Sequence, residues 1–445
     1  MLKDAMWYNY ATALQTALLQ AKDEGKDISK VEKEVTTANI DCSYTYEEDQ
    51  IVGKLLDQID ALPVQENYPY EEPSMLDGIH RLQMPNAVIK RACDREELLN
   101  KIHGAWIGRV SGCILGKPVE NWKWEMIKKV AEAGNNYPMA DYIDGNVDVE
   151  YDDFLTKERL ATGCFKNTLN GFAPEDDDTN YTVIALKIVN TYGRDFTSED
   201  VAEAWLQNFP VLHLCTAELA GYRNILNHIL PPKSASYRNP FKEWIGAQIR
   251  GDFFGYINPG EPFIAADMAY RDACITHVKN GIYGEMMIAA MIAQAAVTDD
   301  LLEIVQTGLA VIPHTSRLHE EICNVLDWYQ SGIQYWDAVM KVLDRYNRDW
   351  AHHAVHTIPN AMLVVIALLY GEKDFTKTLS NAVMPGLDTD CNGATVGSII
   401  GIMLGRNQID PKWMSRFDDT LHTGISGYQS VRISEMAKQT LQYIQ

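Results

Sequence analysis

The chain has 445 residues, 46% hydrophobic and 22% charged, with a formal net charge of -22. That average field repels polyanions and argues against a general nucleic-acid binder, although a local pocket can still take an anion. No apolar run reaches the roughly 18 residues of a membrane span, and the start MLKDAMWYNY lacks the basic and apolar regions of a secretory signal. The eight cysteines are scattered with no CxxC pair, which argues against a zinc ribbon or a disulfide scaffold and predicts reduced thiols in a cytoplasmic protein.

In chain order, residues 4–24 read as an amphipathic helix, with Met6, Tyr10, Leu14, Ala17 and Ala21 at helical spacing, Asp4 as cap and Gly25 as stop. A second helix covers roughly 47–61, and VQENYPYEEPS then reads as an extended connector. Residues 1–95 therefore form a small helical extension, too small for a strong core of its own, that packs on a main domain of residues 96–445. The main domain is mostly helical, through REELLNKIHGAWIG, YTVIALKIVNTYG, EMMIAAMIAQAAV, PNAMLVVIALLYG and ATVGSIIGIMLG. DYIDGNVDVEYDDFL is either a short hairpin or a loop. The fold class that follows is all-α, one large domain with long functional loops.

Two helices carry glycine every four residues, Gly104, Gly108, Gly112 and Gly116 in one, Gly393, Gly397, Gly401 and Gly405 in the other. Each helical glycine costs about 1 kcal/mol relative to alanine. Residues four apart share a face, so the offsetting gain is a close helix crossing at the domain centre.

The acidic clusters carry the chemistry. Glu175, Asp176, Asp177 and Asp178 precede an apolar helix, and four adjacent acids exceed what capping and the helix dipole use. Asp388 and Asp390 again stand at the start of an apolar helix. DTDCNG imitates an EF-hand start, but Ile399 stands where the bidentate glutamate belongs. A solvated helix start accounts for either cluster alone. Both together present enough oxygen for hard cations such as magnesium or manganese. HHAVH lacks the glutamate of a zincin, and its histidines read as packing residues. GCILGKP is a residue short of a P-loop.

Four segments in order, GCILGKPVE at 112–120, DDDT at 176–179, ITHVKNG at 275–281 and GLDTDCNGATVGSIIG at 386–401, resemble the ADP-ribosylglycohydrolase family over roughly residues 96–410. The resemblance implies an all-α orthogonal bundle around a dinuclear centre of two Mg2+ or Mn2+. It implies Asp176, Asp177, Asp178, Asp388, Asp390 and Cys391 as ligands, and Glu120 and Asp178 as catalytic residues. His277, Asn258, Gly260 and Gly116 fall to the substrate. The implied reaction is metal-dependent hydrolysis of a ribosyl glycosidic bond, in an ADP-ribosylated protein or a small ADP-ribosyl compound, by a monomer or dimer. Cys113 stands where the family has aspartate, Asp176 and Cys391 where it has serine or threonine, and GYINPGEPFIAADMAYRDA lacks an arginine usual in the nucleotide-lining segment. Another nucleoside or sugar glycoside, or a metal-binding scaffold without turnover, are the alternatives these departures raise.

Overall fold

A computed structural model describes residues 10–38, 40, 45–84, 94–147, 163–347 and 349–444. Helices dominate, and among the described residues the only paired strands are Thr420–His422 and Ser430–Arg432, antiparallel with Leu421 opposite Val431. No described helix is long and apolar enough to cross a membrane. Asp4 and Met6, and residues 148–155 of the hairpin candidate, lie outside the described residues; positions 141–147 form turns and irregular backbone.

The N-terminal helices Tyr10–Asp23, Ser29–Thr37 and Tyr46–Asp60 enclose a small core of Leu14, Leu18, Val31, Val52, Leu56 and Ile59. Thr45 caps the third, its side chain accepting from the Glu48 backbone N–H. Charge holds the connector to the main body. Glu72 is buried and accepts from Arg317, whose Nη2 lies 2.9 Å from Glu72 Oε2 and 2.7 Å from Glu243 Oε2. Asn280 Nδ2 donates to both carboxylates, at 2.8 and 3.0 Å. Two buried acids thus depend on one guanidinium, and removing one partner of such a group costs about 3–5 kcal/mol. Arg317→Ala is expected to lower stability by that amount and to hasten proteolysis within residues 1–84. An unchanged urea midpoint and cleavage rate would show that the connector is held by other contacts.

The main body is built on two antiparallel helices, Arg95–Gly116 and Thr389–Leu404. Asp94 caps the first, accepting from the Glu97 N–H. Their glycines face each other in rungs. A Cβ added at Gly108 would lie 1.9 Å from the Gly397 carbonyl oxygen, one at Gly112 1.9 Å from that of Gly393, and one at Gly104 2.3 Å from that of Gly401. Backbone touches backbone along four turns, so dispersion and Cα–H···O contacts replace side-chain packing. This is the close crossing that the glycine spacing predicts. Around it pack the fully buried Asn280–Ala295 and the largely buried Thr357–Tyr370, the apolar helices of the core.

Candidate metal centre

The acid centre forms where the first glycine helix ends, the second begins, and a third helix, Asp177–Tyr192, starts beside them. Asp176 is the N-cap of that third helix and accepts from the Asp178 N–H at 3.0 Å. Asp177 and Asp178 occupy its first turn, where the helix dipole favours negative charge. Glu175 turns away, toward His213 Nδ1 and Asn180 Nδ2. Of the four acids in the sequence run, Asp176 and Asp178 are buried, Asp177 is half-buried beside Asp176, and Glu175 faces elsewhere.

The other wall is set by backbone pairing. After Gly116 the chain makes a 3-10 turn at Lys117–Val119. The Asn121 N–H then donates to the Leu387 carbonyl at 2.9 Å, and Lys123 bridges Gly386. Gly386 and Leu387 both hold positive φ, +84° and +63°. Glycine does so freely, whereas a bulky leucine there stores on the order of 1–3 kcal/mol, as strained turns at functional sites do. This turn sets Asp388 beside Glu120. The Asp388 side chain makes no capping bond to its helix, which leaves its carboxylate for the centre.

Three overlapping groups place their ligand atoms within 4.8 Å of one another: Glu120 with Asp388 and Asp390, Asp178 with Asp390 and Cys391, and Cys113 with Asp176 and Asp178. Burial is nearly complete except at the half-buried Asp177 and at Lys117 and Glu120, whose side chains are 25% and 27% exposed and form the solvent edge. Burial pushes the carboxyls of Asp177, Asp178 and Asp388 well above the ordinary range, and neighbouring carboxylates push them further. Burial acts most strongly on Asp176 and in the same direction, but the charge of Lys117 together with hydrogen bonds from Asp177, Lys117 and the Asp178 N–H outweighs it and holds that carboxyl below its ordinary value. The Cys113 and Cys391 thiols are driven far up by burial and the surrounding acids. An acid-rich site whose members resist ionisation calls for cations.

Two cations come from the chain itself. Arg109 is completely buried, its Nη2 2.9 Å from Asp178 Oδ1 and its Nη1 3.2 Å from Asp252 Oδ2. Lys117 Nζ lies 3.0 Å from Asp176 Oδ2, 3.0 Å from Asp390 Oδ2 and 3.2 Å from Glu120 Oε2. Arg109, Cys113 and Lys117 are four residues apart, a row beside the glycine row of the same helix, and that spacing in the sequence is the signal that could have found them. A divalent ion also fits. Asp178 Oδ2 is buried with no hydrogen-bond partner, and Asp390 and Cys391 offer ligand atoms close to Asp178. An unpaired buried carboxylate oxygen is costly, and a hard cation would satisfy it.

Of the expected substrate residues, Gly116 stands at the centre, at the end of the first glycine helix, and Asn258, Gly260 and His277 are in none of the three acid groups. Gly116 is consumed by the helix crossing: an added Cβ would meet the Thr389 carbonyl at 2.2 Å, and Thr389 Oγ1 donates to the Gly116 carbonyl at 2.8 Å. Asn258 accepts from Arg194, and Arg194 also donates to the Ile257 carbonyl. Arg194 follows the C-terminal end of the Asp177–Tyr192 helix, whose 16 residues span about 24 Å, so Asn258 sits at the end opposite the acids, with Gly260 two residues beyond it. Gly260 adopts φ +72° and donates to the Ala293 carbonyl, a turn role. His277 is fully buried, its Nδ1 2.8 Å from Thr276 Oγ1 and its Nε2 3.8 Å from Glu218 Oε1, in a network that Arg250 joins through Thr276 and Glu218.

A second group, Asp23 with His352 and His356, has metal-like spacing. Its tautomers argue against that use. His352 Nδ1 accepts from Trp244 Nε1 and His356 Nδ1 accepts from the Ile358 N–H, so each neutral ring carries its hydrogen on Nε2. His352 Nε2 then donates to Asp23 at 3.0 Å, tying the first helix to the main body. The packing role expected for these histidines agrees with that arrangement.

No curated protein matches the chain. Among solved structures it is similar to an ADP-ribosylglycohydrolase-related protein complex, at 17% identity over 78% of this chain and 98% of that one, with a TM-score of 0.47. The family model for ADP-ribosylglycohydrolase matches residues 94–444. With more than half of its length matched by that model, the chain belongs to the ADP-ribosylglycohydrolase family.

Proposed function

We infer that the acid centre hydrolyses a ribosyl glycosidic bond in an ADP-ribosylated protein or small ADP-ribosyl compound, with a divalent cation, Mg2+ or Mn2+, bound. The observation that carries this reading is the meeting of Glu120, Asp388 and Asp390 at the solvent edge of a buried acid cluster. Asp178 and Asp390 would hold the ion through carboxylate oxygens, with Asp177, Asp388 and the Cys391 thiol beside them. When bound, the ion supplies a fixed positive charge that orients ribose hydroxyls and water.

The remaining chemistry belongs to the chain. Glu120 is the partly exposed acid of the group, placed where a water entering from solvent can give up its proton to a carboxylate oxygen. Asp178 is pinned by Arg109 through both its carbonyl and its carboxylate, so its charge cannot move away during the reaction. Positive charge developing at the anomeric carbon would be met by the buried carboxylates of Asp388 and Asp390, with the half-buried Asp177 beside Asp176.

Asp177→Asn is expected to reduce kcat/KM at least about 100-fold for release of ADP-ribose from ADP-ribosyl-arginine, as loss of a fixed charge at a reacting centre does. Chelation should do the same, with recovery on adding Mg2+. Full activity after chelation would rule out the metal-dependent reading. A ribosyl or sugar glycoside other than ADP-ribose is the second reading, favoured by the position of Asn258 and Gly260 at the opposite end of the Asp177–Tyr192 helix. Activity on a panel of such glycosides, with none on ADP-ribosyl-arginine, would establish it.

A further inference from the structure

We propose that Lys117 is a resident cation of the acid centre, taking one cation position permanently, so that the chain binds a single divalent ion on the Asp178 side. This rests on the metal-dependent reading of the centre and adds a count and a place to it.

The ammonium of Lys117 meets carboxylates from three separate elements: Asp176 from the cap of one helix, Asp390 from the first turn of another, and Glu120 from the loop after its own 3-10 turn. A lysine ammonium has three N–H groups, and three carboxylate oxygens lie at 3.0, 3.0 and 3.2 Å. The stem is fixed as well. Lys117 directly follows Gly116, which is locked to Thr389, and precedes Pro118, whose ring fixes the turn. Nζ is thus held between three carboxylates at the solvent edge of the cluster.

The oxygen inventory points the same way. Asp176 gives Oδ1 to the Asp178 N–H and Oδ2 to Lys117. Asp390 gives Oδ1 to the Cys391 N–H and Oδ2 to Lys117. Both carboxylates that span the centre already have both oxygens engaged. Asp178 Oδ2 is a buried carboxylate oxygen of the centre with no hydrogen-bond partner, and Asp178 groups with Asp390 and Cys391 and with Cys113 and Asp176, not with the partly exposed Glu120. An ion drawn to it would be held from Asp178, among the buried members of these groups. A second ion drawn to Asp176 and Asp390 together would have to share their oxygens with an ammonium about 3 Å from each, and like charges this close repel strongly at reduced dielectric.

The test is the stoichiometry and spectrum of bound Mn2+ on the full chain. Wild type should bind one Mn2+ per chain, with the electron paramagnetic resonance spectrum of an isolated ion. Lys117→Met, close in volume but uncharged, should bind two, with a spectrum broadened by exchange between neighbouring ions. Lys117→Arg, which keeps a cation, should stay at one. Two ions in wild type, or one in both wild type and Lys117→Met, overturns the role of Lys117 and leaves the metal-dependent reading standing. No Mn2+ on any of the three proteins overturns the metal-dependent reading itself. If Lys117→Met fails to fold, Lys117→Gln carries the same comparison, and two ions in wild type overturn the proposal by themselves.

Discussion

Gly108→Ala is expected to destabilise the protein by at least about 2 kcal/mol, although helix propensity alone gives the opposite sign. Alanine in a helix is favoured over glycine by about 1 kcal/mol. Here the new methyl would sit 1.9 Å from the Gly397 carbonyl oxygen and 2.5 Å from its carbonyl carbon. Those atoms are backbone, so no rotamer change can clear the overlap and the two helices must move apart. Overpacking of a dense interior typically costs about 1–3 kcal/mol and occasionally more, and separation would also weaken every other rung. Equilibrium unfolding in urea reads the sign directly. A midpoint equal to or above that of wild type would show that the helices part without loss, and close approach would then not be what the glycines provide.

Arg109→Met is expected to cost about 3–5 kcal/mol, the range for removing one member of a buried ion pair. Arg109 has no exposure, and its guanidinium serves Asp178, Asp252, the Asp178 carbonyl and the Ile249 carbonyl. Methionine fills most of the volume and satisfies none of these acceptors. Arg109→Lys should recover only part of the loss, because an ammonium's three N–H groups at one nitrogen cannot reproduce the five N–H groups of the planar guanidinium fork, which here serves two carboxylates and two carbonyls. The double variant Arg109→Met with Asp252→Leu should lose less than the sum of its single changes, since it removes one of the stranded charges. Strict additivity in that cycle, or a loss below about 1 kcal/mol for Arg109→Met, would show that the pair contributes nothing beyond packing.

Much of this architecture is legible in the sequence because it depends on spacing. Glycine at every fourth position has no use in a helix except close approach, so the crossing follows from the residues alone. The acid clusters are legible as clusters but not member by member. Glu175 is indistinguishable in sequence from its three neighbours, yet the cap geometry at Asp176 turns it toward His213. Family order points to Gly116, Asn258, Gly260 and His277 as substrate residues. Gly116 is spent on the helix crossing and Asn258 on an arginine at the far end of a helix. Arg109 and Lys117 escape notice as cations of the centre because charged residues usually face solvent. Their direction becomes apparent only once the neighbouring glycine row is known to face inward.

The glycine crossing also bears on alignment. The rungs recur every four residues on both helices and are nearly identical, so a slide of about 6 Å, four residues at 1.5 Å each, again sets glycine against glycine along most of the contact. Packing energy alone scarcely distinguishes the native alignment from one shifted by a turn. What distinguishes them stands at the two ends. Thr389 Oγ1 finds the Gly116 carbonyl at one, and Asn100 Oδ1 receives the Asn407 N–H at the other. A shifted pair would forfeit both polar contacts and would carry Asp390 a full turn away from Lys117 and Glu120. The smooth glycine faces therefore bind the helices without indexing them, and a few polar groups at the ends act as the detents that bring the carboxylates to the same place.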